Sequence, residues 1–213
     1  MLTTLVEAFV ACLFIIRGLF RKFVFLNFYL LLSVAISIGR YAVLTWFGLL
    51  SSAYAYFYYF SDALLTICLF LSICELSVRL VGTRVPRRRV VLLSAGALLA
   101  AAWFSFLLTP LSGSRATTRF AFELSQNILF ASGLGIVLLW TWNLRNDPEN
   151  RIAARFVSVL SVYFSLFFLA YGARQLAPQA SGLHSLFPMM AAWLPLGCGF
   201  ALVPQEQPRR TKR

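Results

Sequence analysis

Of the seven carboxylates in this 213-residue chain, three stand inside long apolar runs: Glu7 in TLVEAFV, Asp62 in YYFSDALL and Glu123 in FAFELSQN. Three arginines occupy comparable settings, Arg40 in SIGRYAV, Arg119 in TTRFAF and Arg174 in YGARQLA. A charged side chain at the centre of a bilayer costs about 2.5–3.5 kcal/mol on insertion scales, so it persists where it faces protein or water. Two chemistries suit such a set. One is internal pairing, Arg40 with Asp62 and Arg119 with Glu123, which fixes helix register. The other is a pocket whose carboxylates hold a small solute or ion. The residue types leave both open.

Spacing groups these side chains further. Arg119, Glu123, Gln126 and Asn127 recur at i, i+4, i+7 and i+8, the spacing of one helix face. Tyr29, Ser33, Ser37 and Arg40 repeat the pattern in an earlier segment, and Tyr58, Tyr59, Asp62 and Thr66 form a third stripe. A polar stripe on an otherwise apolar helix is expected to turn inward. The three predict a polar, partly hydrated cluster of Glu7, Arg40, Asp62, Arg119, Glu123, Gln126, Asn127 and Arg174 near one end of a bundle, with Asp62 at its base. Glu75 stands apart, and Arg79 four residues on predicts a local ion pair.

Several other chemistries lack their residues. The one histidine, His184, lies in a short polar stretch, which leaves no bis-histidine haem or multi-histidine metal site. Lys22 and Lys212 are the only lysines, so no Schiff base can form in the last apolar segment. Cys12, Cys68, Cys74 and Cys198 all fall in apolar segments without metal-ligand spacing, and no disulfide is expected. Phosphate-loop, dinucleotide and HExxH patterns do not occur. The expectation is a non-enzymatic protein without catalytic residues, metal or cofactor.

The elements that must carry these residues follow from composition. With 60% hydrophobic and 12% charged residues, and a mean hydropathy of +0.79, the chain lies far from the roughly 25% charged residues of soluble domains. Apolar segments lie at roughly 2–20, 23–45, 54–78, 90–109, 120–142, 156–176 and 185–203. Most hold the roughly 20 residues a helix needs to cross about 30 Å of hydrocarbon, and none alternates as a barrel strand would. The fold class expected is therefore all-α, a polytopic membrane bundle of seven transmembrane helices over residues 1–203, with a short basic tail at 204–213.

Basic residues set the expected orientation. Arg17, Arg21, Lys22, Arg79, Arg84, Arg87, Arg88, Arg89, Arg145, Arg151, Arg155 and the tail's Arg209, Arg210, Lys212 and Arg213 would all lie on one side. Arg40, Arg115, Arg119 and Arg174 are the exceptions. This bias predicts a cytoplasmic C-terminus and an outer N-terminus, in a cell's cytoplasmic membrane. The first segment lacks a basic start and a small-x-small cleavage pattern, so it is expected to be a retained helix rather than a signal peptide. The excess charge of +12 is then a property of helix ends and predicts no nucleic-acid binding. The basic patch Arg84, Arg87, Arg88 and Arg89 favours anionic lipid at the cytoplasmic face, or a membrane protein partner, each Arg contributing about 1 kcal/mol.

Packing signals are fewer. Gly96 with Ala100 and Ala97 with Ala101 form small-xxx-small pairs for close helix approach. Pro188 and Pro195 predict a kink in the last segment, or a discontinuous helix of the kind transporters place beside substrate. Tyr54, Tyr56, Tyr58, Tyr59 and Trp46 read as an interfacial aromatic belt. The stretch FRKFVFLNFYLL followed by YAYFYYFSDALLTICLFLSICEL resembles uncharacterised bacterial seven-helix integral membrane proteins, in which a basic FRxF start precedes the second helix and an aromatic-rich third helix carries two acids, here Asp62 and Glu75. The resemblance covers the first three segments and implies no activity. The function expected is a ligand-sensing or accessory membrane subunit with an outward polar cluster, the alternative being a small-solute transporter with a proline-broken seventh helix.

Overall fold

A computed structural model describes the backbone of residues 2–81, 85–109, 116–145, 151–176 and 186–202, and the side chains of 4–81, 85–109, 116–145, 151–169 and 193–202. Arg84, His184, the tail and the side chain of Arg174 lie outside the described residues. The described residues form helices and no strand: α1 (Leu2–Ile16), α2 (Val24–Phe47), α3 (Ser52–Val81), α4 (Arg87–Leu108), α5 (Ala116–Arg145), α6 (Arg151–Leu176) and α7 (Leu186–Ala201). Each corresponds to one apolar segment.

Their ends have local causes. Gly48, at φ 78°, closes α2 in a conformation that a side chain would strain. Ser51 then opens α3, its hydroxyl accepting the Tyr54 N–H at 3.1 Å. Pro86 stands just before α4, where its missing N–H costs nothing. The helices α5 and α6 run past their apolar stretches to Arg145 and from Arg151, since arginine is a good helix former once the chain leaves the apolar region.

Five of the helices, α2 to α6, are long and apolar enough to cross a membrane. The 15 residues of α1 and 16 of α7 span about 22 and 24 Å at 1.5 Å per residue, short of the hydrocarbon thickness. The α7 helix continues through Pro195, so the broken helix that the prolines suggested is not formed.

Successive helices run antiparallel. The bundle thus has an amino end, where α1, α3, α5 and α7 begin, and a carboxyl end, where they finish. Parallel α1 and α7 meet at the latter, where the Arg17 guanidinium donates to the Leu202 carbonyl. The centre is held by α3, which touches α2, α4, α5 and α6. Leu92, Leu93 and Leu99 on α4, and Phe130, Leu134 and Leu138 on α5, face outward, an apolar exterior suited to lipid and not to water.

The main core fills the carboxyl half. Phe14, Phe23, Leu76, Phe156, Leu160 and Cys198 are buried together, and Phe156 meets Phe23 edge-on at 4.9 Å and Phe14 at 5.5 Å. Lipid supplies little hydrophobic drive between helices, so contact of this kind and close backbone approach hold such bundles together. Gly133 is the clearest instance, because the Phe168 ring of α6 occupies the space a Cβ there would need. The small-xxx-small signal on α4 divides. Ala97 and Ala101 pack inward, while Gly96 has nothing nearby and Ala100 is exposed. No apolar core of similar size occupies the amino half among the described residues.

Candidate functional site

The polar residues of the amino half meet where α2, α3 and α5 converge. Arg40 near the end of α2 reaches across to the start of α3. Its Nε and Nη2 both donate to the Ser61 hydroxyl, at 3.0 and 2.9 Å, and Nη2 also donates to the Tyr58 carbonyl at 3.3 Å. The guanidinium lies over the Tyr58 ring, 4.4 Å from its centroid. Tyr58 therefore holds a cation belonging to the chain itself, while Trp46, 81% exposed, faces outward as an interfacial aromatic does.

Asp62, one residue beyond Ser61, is paired with Arg40 only at long range, 3.8 Å from Oδ1 to Nη2. Its other oxygen accepts the Ser125 hydroxyl of α5 at 2.8 Å. The Asp62 side chain keeps 42% of its exposure, against 25% for Arg40. The arginine is anchored by neutral groups, and the carboxylate is oriented by a hydroxyl, so Asp62 retains free acceptor capacity. Tyr29 of α2 and Tyr163 of α6 lie within electrostatic reach of both Asp62 and Glu7. Glu7 itself is buried beneath α1, with Ser33 of α2 as its hydrogen-bond partner.

The structure brings together only part of the expected cluster. Arg119 and Glu123 form no ion pair with each other among the described residues. Arg119 instead lines a cleft of about 800 Å³ at the amino end, between the α2–α3 turn and the starts of α3 and α5, where Tyr59 and Phe122 meet edge-on at 6.1 Å. Asn127 turns toward α4 and donates to the Ser105 hydroxyl at 2.9 Å. Glu123 and Gln126 are half-buried on the same side. The physical reason is packing: the buried face of α5 joins the small residues Thr118, Ala121, Ser125, Ser132 and Gly133, which admit close approach, to Ile128, Ile136 and Leu139, which fill the core. The more polar stripe is rotated away from that face.

Three participants were missed at the level of sequence: Ser61, Ser125 and Tyr163. The small-residue stripe through Ser125 was the signal available for one of them. Arg87, Arg88 and Arg89 make the exposed first turn of α4 at the carboxyl end.

Glu75 also does more than the local pair expected of it. It holds Arg79 at 3.1 Å, and it accepts the backbone N–H groups of Val24 and Phe25 at 3.2 and 3.1 Å. A carboxylate from α3 thus caps the first turn of α2, and Phe23 at that cap carries the Arg79 guanidinium 5.0 Å from its ring centroid.

Among the described residues no three metal-ligating side chains gather. No protein-family model matches the chain, and no curated protein and no solved structure matches it.

Proposed function

We propose that the chain is a seven-helix integral protein of a bacterial cytoplasmic membrane, amino end outside and carboxyl end in the cytoplasm, acting as a ligand-sensing or accessory subunit. The Asp62 junction takes a small solute that offers hydrogen-bond donors, and the basic carboxyl end meets a partner protein or anionic lipid. One observation carries this reading: Asp62 remains 42% exposed and only loosely paired above a carboxyl half filled with apolar side chains. A carboxylate present solely to neutralise Arg40 would be expected within about 2.7–2.9 Å of it. The apolar fill beneath argues for access from one end, which suits sensing more than passage.

Native mass spectrometry of protein extracted gently from its own membrane tests this. The expected result is a retained solute or a stoichiometric partner with wild type, and loss of the solute from folded Asp62→Asn. Identical spectra for the two proteins would refute the site. A cysteine at Gln126, half-buried on α5 beside the Ser125 that bonds Asp62, should react only with reagent added at the amino end. Solute-dependent reaction from both sides would make the protein a transporter.

A further inference from the structure

A second concavity lies at the opposite end of the bundle, in the cleft between the first turn of α2, the last turns of α3 and the first turns of α4. It encloses about 410 Å³, within the range of small-molecule sites, and opens sideways on the exterior of the bundle. Its walls are apolar for most of their length, with Phe25, Leu71, Val91 and Leu98 among them. Its mouth carries Arg79 and Arg87.

The charges at that mouth do not balance. Glu75 is the one acid there, and its oxygens are taken by two backbone N–H groups and by Arg79. Among the described residues Arg87 has no acidic partner, with Arg88 and Arg89 beside it on the same exposed turn. The Arg79 guanidinium lines the same cleft while its Nη2 holds Glu75 at 3.1 Å. A groove that is apolar along its depth and cationic at its rim, opening toward lipid, is complementary to an amphiphile with an apolar tail and an anionic head.

We propose that this groove binds one anionic glycerophospholipid, an acyl chain lying between α3 and α4 and the phosphate resting on Arg87 and Arg79. The site rests on the reading of the chain as a membrane protein and is independent of the solute at Asp62. It would place a specific lipid against the Glu75 cap, so that lipid occupancy bears on how α2 and α3 are joined.

The test is native mass spectrometry of the full chain released from nanodiscs of equal phosphatidylglycerol and phosphatidylcholine. Wild type should leave with phosphatidylglycerol in preference. Arg87→Gln should lower that retention about fivefold, the factor that one arginine near an anionic surface contributes. Ala95→Trp, which fills the groove without changing charge, should abolish it. Arg145→Gln, at the same end but away from the groove, should leave it unchanged. Equal retention of the two lipids by wild type overturns the site, as does an equal loss from Arg145→Gln, which would signify diffuse surface attraction. Alkaline carbonate extraction reports membrane integration separately, and solute loss from Asp62→Asn reports the other end.

Discussion

Glu75 offers the sharpest quantitative test of the fold. A partly exposed i,i+4 pair with Arg79 alone contributes about 0.3–0.5 kcal/mol. The structure adds two charge-assisted hydrogen bonds from the Val24 and Phe25 N–H groups, at 3.2 and 3.1 Å, to a side chain only 13% exposed. Loss of a helix cap costs about 0.5–2 kcal/mol, and hydrogen bonds to charged groups about 1.5–3 each. Since the freed N–H groups lie near the bundle end, where water can replace part of the loss, Glu75→Ala should cost about 2–4 kcal/mol. Glu75→Gln, which keeps one acceptor, should cost about half as much, and Arg79→Gln no more than about 1 kcal/mol. Reversible unfolding of the three variants in mixed micelles measures these differences. Hydrogen exchange at the Val24 and Phe25 amides should accelerate at least tenfold in Glu75→Ala and little in Arg79→Gln. If Glu75→Ala costs no more than Arg79→Gln and the two amides exchange as before, the cap does not exist and the local pair is all there is.

Other expectations follow from packing and polar burial, and the same unfolding assay checks them. Gly133→Ala should destabilise by about 1–3 kcal/mol, because its Cβ meets the Phe168 ring, whereas Gly96→Ala, with open space around it, should stabilise by about 0.5–1 kcal/mol. Equal effects of the two would contradict the packing of α5 on α6. Asn27 is fully buried with neither side-chain amide atom partnered among the described residues, so Asn27→Leu should raise stability by about 1–2 kcal/mol, and a loss would reveal a partner for the amide. Asp62→Leu should lower stability by about 1 kcal/mol, since Arg40 keeps Ser61 and Tyr58 but loses its counter-ion. Unchanged stability would mean that the carboxylate has no structural part to play.

The helices are legible because one signal, a long apolar run ended by charged residues or by glycine and proline, marks each of them. Lateral order is less so. The stripe Arg119, Glu123, Gln126 and Asn127 predicts an inward face because it is polar, yet α5 buries the small Ser125, Ser132 and Gly133 together with the apolar Ile128, Ile136 and Leu139. In lipid the competition for the interior is decided by how close two backbones can come, and side-chain polarity ranks second. The Glu75 cap was invisible for a different reason: it joins residues 51 and 50 positions apart, and nothing in the local spacing of CELSVRL points to the start of another helix. The same distinction explains why Asp62 was found and its partner Ser125 was not.

These features together divide the bundle by function along its axis. At the carboxyl end the described charged contacts that α3 makes within the chain join helices: Glu75 binds α2 and Arg79, and the aromatic core of Phe14, Phe23 and Phe156 closes the space behind them. At the amino end α3 makes polar contacts of a looser kind, with a 3.8 Å ion pair and an accessible carboxylate. Under the proposed function, a base held by the Glu75 cap and a loosely paired acid on one 30-residue helix would let occupancy at Asp62 shift the amino half of α3 while its far end stays joined to α2. A solute that draws Asp62 away from Arg40 leaves the guanidinium on Ser61 and Tyr58, one turn or less from the carboxylate, so the cost of occupancy falls on a single long contact. On that reading the junction, and not the tighter Glu75–Arg79 pair, is the place where binding would be read out.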